Sequence, residues 1–258
     1  MGGSVSWISI APVKALALVH PGEVELEPFG VRENRRFYLV DAEGRMVNGK
    51  VAGPLVQVVP DYDERLSRLA LRFPDGAVVE GDVDLGEAAT TDFFGRSVAG
   101  RLVIGPWSGA LSEHAGRQFR LVRIDRPGDG ADRGSGAGVS LVATSSLEAL
   151  AQAAGVERVD GRRFRMLFGV DGVPAHAEDG WLGRRVRIGE AVIVPHGNVG
   201  RCVVTKQDPD TGLPDLDTLG ALAGYRGDVE TTERLPFGVW GEVVEPGRVR
   251  VGDRVELE

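Results

Sequence analysis

The sequence predicts a mainly β fold with minor α content, of the kind that builds barrels or sandwiches. Three observations carry that expectation. Short runs of apolar and β-branched residues recur along the 258 residues, most of them closed by Gly, Pro, Asp or Asn. Helical periodicity surfaces in only a few short stretches. The alternating strand–helix rhythm of a doubly wound parallel sheet is missing.

The elements follow in order. Residues 3–13 read as a strand ending at Pro12, and Arg36–Asp41 as a second. Glu43-Gly44 turns the chain, and Arg45–Asn48 returns. Leu66–Phe73 alternates, Pro74-Asp75-Gly76 has turn chemistry, and Val78-Val79 continues the hairpin. Residues 86–94 and 107–116 read as short helices, and 119–124 as a strand. Gly128–Gly138 is dominated by Gly, Asp and Ala, so it reads as a mobile loop. After a strand at 139–143, Ser145-Ser146-Leu147-Glu148 has the form of a capping box. Leu147, Leu150, Ala151 and Ala154 then share a helical face that Gly155 ends. Strands are expected at 163–170, 184–188, 191–195 and 201–205, then a helix near 216–225. Strands at 237–244, 248–251 and 254–257 close the chain. The near-even split suggests two units, residues 1–110 and 111–258.

Composition excludes several classes of function. A net charge of −8 does not suit a broad nucleic-acid or anionic-membrane surface. One cysteine precludes an intrachain disulfide, and no Cys/His spacing suits zinc. With no signal-peptide pattern and no membrane-length apolar run, the expected compartment is the cytoplasm. No P-loop or G-x-S-x-G elbow occurs. Gly134-Ser135-Gly136-Ala137-Gly138 precedes a strand, whereas a dinucleotide fingerprint opens a helix. Its amides leave an anion nest as the lesser alternative to a linker. Of 30 basic residues only Lys14, Lys50 and Lys206 are lysine.

Chemistry concentrates around Cys202. A lone cysteine is ordinarily a small buried apolar residue. This one follows Gly197-Asn198-Val199-Gly200-Arg201, and glycines let backbone approach a ligand closely. Arg201 and His196 offer positive charge that favours thiolate, a soft metal ligand. On a strand, Arg201 and Cys202 would point to opposite faces, so shared use of both requires irregular backbone. Asp208-Pro209-Asp210-Thr211-Gly212 suits a tight turn. Arg163 and Arg165 would share one strand face, suited either to solvent or to phosphate. His176 beside Glu178 and Asp179 is an acid–base candidate, and His114 reads as a surface residue.

The segment Arg201-Cys202-x-x-Thr205-x-x-Asp208-Pro209-Asp210-Thr211-Gly212 closely resembles the cysteine motif of the MOSC family. Ala177-Glu178-Asp179-x-Trp181, Ile188-Gly189 and Gly247-x-Val249-x-Val251-Gly252-Asp253 are similar to family segments around it. Pro12-Val13-Lys14 and Arg36–Asp41 resemble the N-terminal β-barrel domain that accompanies it in the amidoxime-reducing members. The resemblance spans nearly the whole chain. It implies two β-barrel-like subdomains, an N-terminal MOSC-type barrel over 1–110 and a MOSC domain over 111–258. It also implies a molybdenum cofactor, Mo-molybdopterin, between them, with Cys202 as the protein thiolate on the metal. Lys14, Arg36, Lys50, Arg165 and Arg201 would hold the pterin and its phosphate. Asp208 and His196 are candidate proton carriers. The implied reaction is two-electron reduction of N-oxygenated small molecules. The chain has neither a four-cysteine ferredoxin pattern nor a flavin fingerprint, so a separate electron-donor protein is implied.

Departures from the family pattern are Ala15 for Ser, Lys50 for Arg, Met166-Leu167 for Pro-Asn, Gly200 for Ser, and the glycine-rich loop before residue 139 in place of Ser/Thr contacts. They keep two alternatives open: a sulfur carrier using a Cys202 persulfide, and a non-catalytic pterin- or anion-binding module.

Overall fold

The computed structural model describes residues 2–231 and 233–258. The first half runs β1 (Gly2–Ile8), β2 (Glu23–Leu26), β3 (Phe37–Val40), β4 (Met46–Val47), β5 (Val59–Asp63), β6 (Arg68–Arg72), β7 (Val78–Asp82), β8 (Asp84–Phe93), β9 (Arg96–Ile104) and α1 (Trp107–Ala115). The second runs β10 (Arg120–Ile124), β11 (Val139–Ala143), α2 (Thr144–Ala154), β12 (Phe168–Asp171), β13 (Val186–Ile188), β14 (Ala191–Gly200), α3 (Thr218–Arg226), β15 (Pro236–Glu245), β16 (Gly247–Arg250) and β17 (Arg254–Leu257). The mainly β expectation holds.

Seven strands close a barrel in the order β1-β12-β11-β15-β14-β13-β17. Its interior is apolar, with Phe168, Val186, Ile188 and Leu141 among the buried side chains. A five-stranded sheet, β4-β3-β10-β9-β8, and a three-stranded sheet, β5-β6-β7, make the other body. Their shared core holds Phe37, Leu39, Leu69, Leu71, Trp107 and Leu111. Trp107 also donates its indole N–H to the Leu69 carbonyl at 3.2 Å, tying α1 to β6.

Strand pairing does not follow a contiguous division at 110/111. The first strand, β1, closes the barrel against β12 and β17, while β10 lies between β3 and β9 in the other body. The β2–β16 ribbon is a further exchange between the two halves of the chain. Chain segments therefore cross between the bodies at several places, and a cavity lies where they do.

Four local expectations are corrected. Residues 86–94 are strand, not helix: β8 pairs with β9 from Asp84 to Phe93. Burial decides it, because Thr91 meets the Tyr38 hydroxyl at 3.0 Å and Phe93 packs edge-on to Tyr38 at 4.9 Å. The capping box does not form. Ser145 Oγ donates to the Val173 carbonyl and Ser146 Oγ to Glu178, so neither serves the α2 amides. Gly155, at φ +68°, does end that helix. Residues 163–167 are not strand, because the Asp160 carboxylate caps a 3₁₀ turn, Gly161–Phe164, by accepting from the Arg162 N–H. Residues 201–205 are not strand either. The strand ends at Gly200, and Val203–Lys206 form a 3₁₀ turn in which Thr205 returns to the Cys202 carbonyl. The Gly128–Gly138 loop is packed against the rest of the chain. A Cβ on Gly130 would sit 2.0 Å from the Arg35 carbonyl oxygen, and one on Gly138 would strike Phe29 and Gly30 backbone.

Candidate functional site

The end of β14 sets Cys202 in place. Bulges at Pro195/Gly197 and Asn198/Gly200 bend the strand out of register with β15. The irregular backbone that joint use of Arg201 and Cys202 requires is therefore present. Cys202 begins the 3₁₀ turn, and its carbonyl accepts from the Thr205 amide at 3.1 Å and the Thr205 hydroxyl at 3.0 Å. Thr205 is in turn held by the Thr218 hydroxyl at 2.8 Å. Backbone is fixed while the thiol stays exposed.

Cys202 lines a cavity of about 600 Å³ shared by the two bodies. That volume lies in the range of small-molecule and cofactor sites. Its cations include Lys14, Arg35, Lys50, Arg133, Arg165 and Arg201, an unusual concentration in a chain of net charge −8. Two of the three lysines of the chain are among them.

The innermost cations are poorly compensated. Arg201 donates to the Phe237 and Phe164 carbonyls and to Met166 Sδ, and lies 5.1 Å over the Phe164 ring. Arg165, held at φ +52° as the residue closing the 3₁₀ turn, donates to the Leu16 carbonyl at 2.8 Å. Among the described residues neither guanidinium has a carboxylate within 4 Å. Burial, then repulsion from Arg35, brings Arg165 down to about 10. Burial brings Arg201 to about 9; Cys202 works in the opposite direction, and Arg133 and Arg35 add to the fall. Burial also takes Lys14 to about 8, against the pull of an ion pair with Asp132. Asp132 itself is depressed to about 2: burial opposes its ionisation, but Lys14 and Arg35 outweigh burial. Buried charge without a full countercharge is unfavourable, and an anion in the cavity relieves it.

The sequence-predicted residues divide on this geometry. Cys202, Lys14, Lys50, Arg165 and Arg201 line the cavity. Arg36 does not: its guanidinium is taken by Glu64 at 3.1 Å and by the Ile124 carbonyl. Arg35, at φ +54°, lines the cavity instead. The Arg35-Arg36 doublet in the sequence carried no signal as to which one turns inward.

Asp208 is a turn builder. It accepts from the Asp210 and Thr211 amides at 2.9 and 2.8 Å, and those bonds outweigh burial to lower its pKa. Gly212, at φ +73°, then packs on Gly53, where a Cβ would meet the Gly53 oxygen at 2.1 Å. The Asp208–Gly212 turn thus joins the bodies, with Gln207 donating to the Gly49 carbonyl alongside it. His196 is exposed, pairs with Glu242 at 3.1 Å, and does not line the cavity. Neither residue is placed to carry protons within the cavity.

Arg163 sits on no strand face. It is buried in a two-pronged pair with Asp215 at 2.6 Å and donates to the Gln207 carbonyl. His176, Glu178 and Asp179 form a buried knot with Ser146, Asn198 and Arg226, away from the cavity lining. Burial raises Glu178 and lowers His176 to about 4, which marks a packed polar core. Sequence reasoning missed Arg35, Arg133, Asp132 and Glu233. Arg35 had an arginine doublet, and Asp132 and Arg133 the glycine-rich loop, as advance signal; Glu233 had none.

The family model for the MOSC domain matches residues 130–256, and that for the MOSC N-terminal beta barrel domain matches residues 2–102. The chain belongs to the MOSC family. Among curated relatives, mouse mitochondrial amidoxime-reducing component 1 is 28% identical over 287 residues, covering 99% of this chain and 82% of that protein. The human protein of the same name is 27% identical over 291 residues, covering 99% and 83%. A crystal structure of the YUAD protein from Bacillus subtilis aligns with a TM-score of 0.46 at 13% identity, over 100% of this chain and 96% of that one.

The departures at Gly200, at Met166-Leu167 and in the glycine-rich loop have structural explanations, whereas nothing in the structure explains Ala15 or Lys50. Gly200 stands where a Cβ would meet Glu233 at 2.7 Å, so that carboxylate occupies the space a larger residue would need. Leu167 is part of the barrel core and Met166 accepts from Arg201. Ala15 is buried at φ +74° with no hydroxyl to offer. The glycine-rich loop supplies Asp132 and Arg133 to the cavity. Among the described residues, no helix of this MOSC chain is long and apolar enough to cross a membrane.

Proposed function

We propose that this chain is a molybdenum-cofactor-dependent oxidoreductase that reduces N-oxygenated compounds, such as amidoximes and hydroxylamines, with electrons from a separate donor protein. The observation that carries the reading is one cavity holding both an exposed thiol, Cys202, and half-buried guanidiniums, Arg165 and Arg201, without carboxylate partners among the described residues. A ligand with a soft metal at one end and a phosphate at the other satisfies both. The names of the mouse and human relatives support the substrate class.

When bound, the cofactor supplies the two-electron redox chemistry that reduction of an N–O bond requires. The residues of this chain bind and orient it. Cys202, as thiolate, is the protein's ligand to the metal. Among the described residues no group of three His, Cys, Asp or Glu side chains is placed to hold an ion, so the metal's other ligands come with the cofactor. Arg165, Arg201 and Lys14 hold the anionic end, and guanidinium forks match phosphate oxygens. Asp132 keeps Lys14 and Arg35 directed into the cavity. Exposed Lys50 contributes charge on the open side.

The test is metal and pterin content per chain, after expression in a host that makes the cofactor. Near-stoichiometric molybdenum is expected in the wild type, with at least a ten-fold loss in Cys202→Ser of unchanged fold. Well-folded wild-type protein with neither molybdenum nor pterin overturns the reading. A second reading, sulfur transfer through a Cys202 persulfide, is favoured only by the exposure of the thiol. It predicts a sulfur adduct at Cys202, seen by mass spectrometry after incubation with a sulfur donor.

A further inference from the structure

The turn between β8 and β9 is unusual for its type. Phe93 pairs with Arg96, and the two residues between them, Phe94 and Gly95, have φ of +56° and +88°. A two-residue hairpin turn with both φ positive favours Asn or Asp followed by Gly. A bulky aromatic in the left-handed region is strained. Burial of the ring is the ordinary compensation, and Phe93 next to it is fully buried. Phe94 is 63% exposed. Neither its backbone nor its ring favours the fold, and strain of this kind persists where another requirement maintains it.

Phe94 lines the same cavity as Cys202 and Arg165. The turn is anchored there. Arg96, its next residue, donates to the Asp129 and Ala131 carbonyls at 2.6 and 2.7 Å, in the loop that carries Asp132 and Arg133. Trp240 is a second aromatic of the lining, with the Arg133 guanidinium 4.9 Å over its ring. Of the cations assigned to the anionic end, Lys14 is buried and Arg165 and Arg201 are half-buried, whereas Phe94 is exposed and uncharged. An exposed lining residue marks the mouth, which is where a substrate enters.

We propose that Phe94 is a specificity-determining residue that stacks on planar, aryl-bearing substrates at the mouth of the cavity and so favours them over alkyl analogues. This rests on the reductase reading above. The ring gains by being covered, which offsets the strain of its backbone, and a flat aromatic group covers it best.

The experiment compares benzamidoxime with acetamidoxime as substrates for the cofactor-loaded protein, with reduced methyl viologen as the electron source. Phe94→Asn is expected to lower the benzamidoxime-to-acetamidoxime ratio of kcat/KM by about ten-fold, the order of one aromatic contact. Its Tm should equal or exceed that of the wild type, because Asn suits the turn. Phe94→Trp should keep the preference. An unchanged ratio in Phe94→Asn overturns the proposal, whether or not Tm falls. If the wild type reduces neither compound, the reductase reading falls, and calorimetric titration of the same proteins with benzamidoxime still decides the role of Phe94. Binding about ten-fold weaker in Phe94→Asn supports it. Equal binding, or none to the wild type, overturns it.

Discussion

Arg163 and Arg165 lie two residues apart and face opposite electrostatic worlds. Arg163 is locked to Asp215 by two 2.6 Å bonds and to the Gln207 carbonyl, so its charge is spent within the fold. Arg165 meets only a carbonyl, and Arg35 pushes its pKa down further. The same contrast separates Arg162, outside the cavity lining and paired with Asp160 and Asp210, from Arg201 inside it. Arginine clusters do not by themselves mark a binding site. Arginines that the protein leaves without carboxylates do, because the fold tolerates the cost of a buried charge where a ligand restores the balance.

Four substitutions or titrations put that contrast at risk, and the one at Arg163 has the largest expected effect. Arg163→Met leaves Asp215 without its partner and should lower stability by about 2–4 kcal/mol, read by urea denaturation. A loss below about 0.5 kcal/mol would place Arg163 with the ligand arginines instead. Arg165→Met should do the reverse. Stability of the ligand-free protein stays level or rises slightly, while affinity for pyrophosphate, measured by calorimetry, falls by about ten-fold or more.

The third is a pH dependence. Lys14 is held at about 8, below its ordinary 10.5, so it is charged at neutral pH and loses its proton as pH rises through about 8. Pyrophosphate binding should weaken several-fold across that point, and Lys14→Arg should flatten the profile. The sign for folding is separate. The unfolded chain keeps the lysine proton up to about 10.5, so between about 8 and 10.5 this group's contribution to stability rises with pH.

The smallest effect belongs to Asp208. Asp208→Asn keeps an oxygen for the turn amides and should cost no more than about 1 kcal/mol. The lowered carboxyl supports folding above its ordinary value of 3.8 and loses that support as pH falls through its folded pKa. The variant should therefore differ from the wild type mainly in acid, with no alkaline change in activity. A shifted alkaline limb would reinstate Asp208 as a proton carrier.

How much of this was legible beforehand follows from the range of each interaction. Turn chemistry at Asp75-Gly76 and Asp208–Gly212, the helix stop at Gly155 and the three helices beginning at Trp107, Thr144 and Thr218 are local, and the sequence marks them all. The motif around Cys202 and the position of Lys14 were equally legible. β8 was not, because its fate depends on tertiary contacts: Thr91 and Phe93 are buried against Tyr38 of β3, which local propensity does not reveal. The choice of Arg35 over Arg36 turns on one left-handed backbone angle. His196 was a candidate by chain proximity to Cys202, but its strand pairs it with Glu242 instead.

The sequence by itself determined the β-rich class, the turns that space its strands, the single soft ligand at Cys202 and the scarcity of lysine that draws notice to Lys14. These are properties of residue type and short-range spacing. Only the tertiary structure decided which cations share a cavity and which are neutralised. It placed β1 in the barrel of the second half, brought Asp132 to Lys14 across 118 residues, and left Arg165 and Arg201 without carboxylates. The physical reason is that charge compensation depends on distances of a few ångströms between segments far apart in the chain, and local preference carries no information about them.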